Sequence, residues 1–196
     1  MILQQPFTFD LSFQNWLSSF INPQATSFFK IVTYLGEAYI LIVLIVLLFF
    51  FLKNKKAMIF ALLEILATGF INQVIKHLLQ RPRPAETFWL IPESGYSFPS
   101  FHAMGSSALF TFLIYLIWQS PSRAWLKTLL TCFLITVILV VSFSRLYLGV
   151  HYLSDVLGGV ILGCLATIIT IIFYKNWDQW WLLIKAKFNN NHQKSS

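Results

Sequence analysis

Residues 144–155 read SRLYLGVHYLSD, and they separate two apolar runs, 124–143 and 156–174, each near the ~20 residues that carry a helix across a bilayer. Arg145, His151 and Asp155 thus fall within twelve residues at the margin of hydrocarbon. A charge at membrane depth costs about 2.5 kcal/mol or more, so a cluster of three calls for a chemical reason. The plain alternative is a polar loop with an incidental ion pair.

Three further apolar runs, 34–52, 57–79 and 99–118, lie upstream, and 57% of the 196 residues are hydrophobic against 11% charged. That balance lies outside the range of soluble domains, and backbone facing lipid has to satisfy its own hydrogen bonds. The reading is an all-α polytopic membrane bundle with about five transmembrane helices, formed by 34–174 of a single domain spanning 1–196. Ahead of it, Phe9, Phe13, Trp16, Leu17, Phe20 and Ile21 recur at helical spacing opposite Ser12, Gln14, Asn15, Ser18 and Ser19. This predicts an amphipathic helix over 8–22, stopped near Asn22-Pro23, lying on the membrane surface or packed on the bundle. The first thirty residues show neither the basic start nor the small-residue cleavage site of a signal peptide.

The formal net charge of +7 raises the question of nucleic acid, and the placement of the basic residues argues against it. Lys53, Lys55, Lys56, Arg123, Lys127, Lys175, Lys185, Lys187 and Lys194 all fall on one side of the predicted spans. By the positive-inside rule that side is cytoplasmic. Lys30, Lys76, Arg81, Arg83 and Arg145 lie on the opposite side or near it. The N-terminus is therefore expected outside, and residues 175–196 form a cytoplasmic tail. Trp177, Trp180 and Trp181 beside Lys185 and Lys187 read as its interfacial anchor, and the end NNNHQKSS, with an inert His192, reads as disordered. Cys132 and Cys164 lie within spans and act as small apolar residues, not a disulfide framework.

The two outward connections, 80–98 and 144–155, concentrate the polar groups that the spans lack. Lys76 precedes Arg83 by seven residues, two turns along one helical face, before RPRP ends the helix. Snorkelling to lipid headgroups is the structural alternative for either cation. In FPSFH, residues 98–102, Ser100 is placed to cap the third long span, with His102 in its first turn beside the free backbone donors of the helix start. His151 and Asp155 are four apart, so on a helix the carboxylate holds the imidazole in one tautomer. Arg145 offers a planar fork suited to phosphate oxygens. Glu64 is an intramembrane carboxylate placed to pair with another helix, His77 reads as a neighbour of Lys76, and Glu86, Glu93 and Tyr96 read as parts of a lid.

Together the segments resemble the type 2 phosphatidic acid phosphatase superfamily, whose signature is K-x6-R-P, P-S-G-H and S-R-x5-H-x3-D. Here the three occur in order as Lys76 to Arg83-Pro84, Pro99-Ser100-Phe101-His102, and Ser144-Arg145 to His151 to Asp155. Phe101 replaces the glycine, and five spans are counted where members of the family usually have six. The resemblance implies a lipid phosphatase in the cell membrane with its site on the extracytoplasmic face. His151 would be the nucleophile, Asp155 its orienting carboxylate and His102 the acid and base, with Lys76, Arg83, Ser100, Phe101 and Arg145 lining the substrate. It implies no metal or other cofactor, in keeping with histidines that lack a compact ligand pattern. No obligate protein partner is evident. Undecaprenyl pyrophosphate, phosphatidylglycerophosphate and phosphatidate all fit a site whose substrate keeps its tail in lipid. The rival is a non-catalytic lipid-phosphate binder or transporter whose pocket is altered by Phe101.

The topology has a direct check. A cysteine placed at Glu93 is expected to react with an impermeant thiol reagent in intact cells, and one at Lys55 is expected to be protected until the membrane is opened. The reverse pattern would put the site in the cytoplasm.

Overall fold

The computed structural model describes residues 5–194, with side chains described through Leu182 except Trp180. Seven α-helices follow in order: α1 Thr8–Ser18, α2 Pro23–Val32, α3 Ala38–Phe51, α4 Lys55–Leu79, α5 Phe101–Gln119, α6 Ala124–Tyr147 and α7 Leu153–Lys194. A 3-10 turn over Thr33–Gly36 joins α2 to α3, and another over Glu86–Phe88 lies in the connection before α5. Four helices are long and apolar enough to span a membrane, and the pair Pro23–Gly36 and Ala38–Phe51, bent by 59°, counts as a fifth if taken together.

The expected continuous span over 34–52 is therefore corrected to a broken one. Glu37 has an extended ψ of 138° and interrupts the helix. A side chain on the preceding Gly36 would come within 2.9 Å of His102 and 2.7 Å of Val141, so the chain turns where it passes beneath the site. The helix expected over 8–22 is α1, which ends at Ser18, and a separate helix α2 begins at Pro23, capped by the Asn22 side chain through the Ala25 N–H at 2.9 Å. In α1 the buried stripe is Asp10, Gln14 and Leu17, while Phe9 and Trp16, with Phe20 in the turn that follows, are about half exposed. The apolar face is left for lipid because a buried charge partner, described below, claims Asp10.

At the other end, α7 runs on through Lys194, so residues 189–194 of the expected disordered terminus are helix, and residues 195–196 lie outside the described residues. No proline or glycine between Tyr174 and Lys194 interrupts it. Trp177 and Trp181 are exposed and stacked, their rings 6.2 Å apart. The side chains of Trp180, Lys185, Lys187 and His192 lie outside the described residues.

Helix α5 is the spine, packing on α7, α6, α4 and α3. It is buried without interruption from His102 to Phe110. Its approach to α7 needs small residues: a Cβ added to Gly163 would lie 2.3 Å from the Met104 carbonyl, and one at Gly159 2.7 Å from that of Ser100. Glu64 of α4 does pair with another helix, since Thr167 Oγ1 of α7 donates to its Oε1 at 2.8 Å. Deeper in the bundle Leu41, Ile45, Ile65, Leu109 and Phe112 form the apolar core. Outward faces carry Phe50, Phe51, Phe70 and Leu78, as a lipid-facing surface requires.

Because the α5–α7 contact is backbone against backbone, Gly163→Val should lower the stability of the detergent-solubilised protein by about 1–3 kcal/mol. Thermal unfolding measures this. An unchanged melting temperature would mean that the two helices separate at no cost.

Candidate active site

The site forms where the starts of α5 and α7 meet. Ser100 N–H donates to the Asp155 carbonyl at 3.1 Å, which sets the two helix N-termini side by side. Gly149, with φ of 73°, turns the chain out of α6 so that His151 stands just before α7. Asp155 is the third residue of α7, and its Oδ2 accepts the Tyr152 N–H at 2.8 Å, closing the start of that helix. The same oxygen accepts the Ser97 hydroxyl and lies 3.5 Å from His151 Nδ1.

The expected alignment of Lys76 and Arg83 along one helix is corrected. Helix α4 ends at Leu79, and Gln80 takes a left-handed φ of 48° because prolines follow and bar continuation. Arg83 therefore arrives from an extended segment. Its Nε donates to the carbonyls of Ser94 and Gly95 at 3.2 and 3.1 Å. Its Nη1 donates to the Val150 carbonyl at 2.8 Å and faces His151 Nε2 at 3.1 Å. A guanidinium only donates, so Nε2 is the acceptor and the ring proton sits on Nδ1, toward Asp155. The tautomer expected from the spacing is thus the one that the neighbours require, although the partners meet across a turn and not along a helix.

Arg145 is buried, with Nη1 on Thr33 Oγ1 at 2.9 Å and Nη2 on Glu93 Oε2. The other oxygen of Glu93 lies 3.7 Å from Arg83 Nη2. One carboxylate thus stands across two guanidinium groups as an anion would. Burial raises the pKa of Glu93, but Arg145 and Arg83 outweigh it and hold the carboxyl below its ordinary value. Lys76 makes no hydrogen bond or close ion pair among the described residues. The Ser100 hydroxyl, expected to cap α5, makes no cap bond and is buried without a partner among them. His102 Nε2 is 3.3 Å from Glu37 Oε1.

Phe101 occupies the first helical position of α5 with its ring against Gly69 and Gly105. It lines an apolar groove of about 320 Å³ shared with Ala38, Ile42, Ile65 and Leu66. On the other side of the site a polar cleft of about 290 Å³ is lined by Lys30, Thr33, Tyr34, Glu37, Glu93 and Arg145. The residues expected to react with the substrate or line it are at this junction, with Glu93, whereas Tyr96 packs on His77. His77 is exposed, hydrogen-bonded to the Gln73 carbonyl and edge-on to Tyr96, apart from the cluster. Among the described residues, no group of three or more His, Cys, Asp or Glu side chains is gathered as a metal site needs.

Sequence reading passed over Asp10, Arg81, Glu37 and Ser97. Asp10 and Glu37 carry a faint signal, each a lone charge in an apolar stretch, where an unpaired charge is costly, while Arg81 reads only as a basic residue of RPRP.

The PAP2 superfamily matches residues 56–179. Phosphatidylglycerophosphatase B of Bacillus subtilis is 34% identical over 138 residues, covering 68% of each chain. The undecaprenyl-diphosphatase BcrC of the same organism is 32% identical over 149 residues, 74% of this chain and 70% of that one. The crystal structure of a transmembrane PAP2-type phosphatidylglycerolphosphate phosphatase from B. subtilis superposes with a TM-score of 0.77 at 28% identity, covering 85% of both chains. The chain belongs to the PAP2 superfamily of membrane phosphatases. Its general activity is hydrolysis of a lipid phosphate or diphosphate.

The surroundings of His151 make a prediction independent of turnover. Burial, followed by the charges of Arg83, Arg145, Lys76 and His102, holds its pKa well below the ordinary 6.5. The ring should therefore stay neutral as pH falls through 6.5 and protonate only well below it. NMR of ring-labelled histidine, assigned by His151→Gln, should show this, and a titration midpoint at the ordinary value would mean that the cations do not face the ring.

Proposed function

We propose that the protein hydrolyses a lipid phosphate through a phosphohistidine on His151. The observation that supports this reading best is the orientation of that ring, with a bare Nε2 facing the cations and Nδ1 facing Asp155. The Nε2 lone pair attacks phosphorus once Arg83 Nη1 has moved from nitrogen to a phosphoryl oxygen. The bond from phosphorus to the leaving oxygen breaks, and His102 supplies the proton that this oxygen takes up. Water then attacks the phosphohistidine, His102 takes its proton, and the P–N bond breaks to release phosphate and restore His151. Asp155 offsets the positive charge on the phosphorylated ring, and Glu37 offsets that on protonated His102.

Lys76, Arg145 and the Ser100 hydroxyl hold the equatorial oxygens, where preorganised donors contribute most. The uncommitted Lys76 ammonium and Ser100 hydroxyl support that role. Glu93 keeps the place of the phosphoryl group between turnovers and leaves when the more highly charged substrate binds. The proposed site opens to the extracytoplasmic face, where the lipid end of the substrate follows the groove beside Phe101. There the aromatic ring, set against Gly69 and Gly105, guides an acyl or prenyl chain without filling the phosphate site. This placement favours an active enzyme over a blocked binder. Phosphatidylglycerophosphate is the substrate that we put first, because the relative first described above and the crystal structure both carry its name, and undecaprenyl pyrophosphate is second.

The test is phosphate release by purified protein from phosphatidylglycerophosphate, undecaprenyl pyrophosphate and phosphatidate in the presence of EDTA. Turnover is expected to persist in EDTA and to vanish in His151→Ala and His102→Ala, with only the His102 variant accumulating an acid-labile phosphoryl group on His151. Phe101→Gly should change the ranking of the three lipids more than the best rate. No release from any lipid by the parent, with release by the glycine variant, would identify a binder and sink the proposal.

A further inference from the structure

Behind Asp155 the structure holds a second charged layer that the family motifs do not include. Arg81, whose side chain has no solvent exposure, donates from Nη1 to Asp155 Oδ1 and to Ser154 Oγ, and from Nη2 to Asp10 Oδ2 at 2.8 Å. Asp10 is equally enclosed. Its Oδ1 accepts the Ser154 N–H at 2.8 Å, and its Oδ2 accepts the Ser154 hydroxyl at 2.7 Å and the Phe7 N–H at 3.0 Å. Asp10 and Asp155 are each the third residue of a helix, α1 and α7, and each closes its own helix start by accepting a backbone N–H. Two helix starts thus clamp one guanidinium, which Tyr152 covers from a face, 4.9 Å from its ring centre.

We propose that Arg81 and Asp10 are positioning residues for the reaction: Arg81 holds the Asp155 carboxylate in place, and Asp10, by sharing that guanidinium, leaves Asp155 its negative charge for use by His151. The proposal rests on the catalytic reading above. With one carboxylate and one guanidinium the layer behind the ring would be neutral. With two carboxylates and one guanidinium it keeps a single net negative charge, which matches the positive charge that the ring acquires on phosphorylation. A bidentate pair of Asp155 and Arg81 alone would orient the ring but support its charge poorly. The groups that face His151 from the other elements, Lys76, Arg83, Arg145 and His102, are cations or neutral, and Glu93 beyond them is already engaged by Arg145 and Arg83, so the counter-charge comes from the Asp155 side. The role of α1 is then chemical as well as structural. It delivers Asp10 to the start of α7.

The experiment compares Asp10→Asn with the double variant Asp10→Asn/Arg81→Gln, measuring by rapid quench the rate of His151 phosphorylation from terminally radiolabelled phosphatidylglycerophosphate. Asp10→Asn makes the layer neutral and should slow phosphorylation by on the order of tenfold with KM nearly unchanged, the equivalent of one pKa unit at the ring. The double variant returns the layer to one net negative charge, carried by Asp155, and should recover most of that loss. A merely structural pair predicts the opposite, with the double variant slower than Asp10→Asn, and that result overturns the proposal, as does an Asp10→Asn rate equal to the parent's. If Asp10→Asn does not accumulate folded, the double variant decides alone. A rate clearly less than tenfold below the parent's supports charge sharing, and a loss of about tenfold or more overturns it. A parent that carries no label at His151 defeats the catalytic reading itself, and the positioning role falls with it.

Discussion

A guanidinium sealed from water can persist only where its charge is answered at contact distance, and that constraint organises the outer half of this protein. Breaking a buried pair by removing one partner typically costs about 3–5 kcal/mol, so the partners of Arg81 are held as firmly as any core side chain. Asp155 on α7 and Asp10 on α1 are both drawn to it. From Asp155 the constraint passes to Ser97 in the connection before α5, to the Tyr152 backbone and to the His151 ring. Segments far apart in the chain are brought into one arrangement by the need to leave no charge alone. The face that α1 buries follows from it too, since Asp10 points inward and the aromatic side chains are left outside.

The bundle below supplies the precision that a charged network lacks. Around α5, contacts are short because Gly159 and Gly163 of α7 carry no side chain, so the backbones of the two helices touch. Interiors of this density do not deform gradually. The N-termini of α5 and α7 therefore hold a constant spacing, and His102, Ser100, His151 and Asp155 inherit it. The buried ion pairs gather at one end of this spine. Deeper in the bundle the core is mainly apolar, with Glu64 Oε1 met by Thr167, and at the far end Lys56 pairs with Asp178.

At the site itself the cations differ in how they are held. Arg83 is bound on several sides by backbone carbonyls and pins the connection over residues 94–95 and residue 150 around His151. Arg145 is tied to Thr33 at one end and to a partly exposed carboxylate, Glu93, at the other. Lys76 carries a flexible stem, and no close partner holds it among the described residues. This gradation suits an anion that arrives and departs. The fixed charges set the field, and the less committed ones follow the ligand.

The span count, the helical class and the residues of the three polar segments could be read from the chain by itself, because they depend on short-range order. Hydrophobic runs of bilayer length and fixed spacings such as His151 to Asp155 are local properties, and only a helical bundle satisfies the backbone between them. The spacing was less informative about conformation: Lys76 and Arg83 both act on His151 although α4 stops at Leu79, and Ser100 precedes α5 without lending it a hydroxyl. Tertiary structure alone determined which charges become partners. Asp10 meets Ser154 across 144 residues and Arg81 across 71, and Glu37 reaches His102 through a break that an unbroken apolar run concealed. An isolated charge in a sequence shows only that a partner is needed. Its identity depends on which surfaces the close approach of α5 and α7 leaves free to meet, and that is a property of the packed bundle.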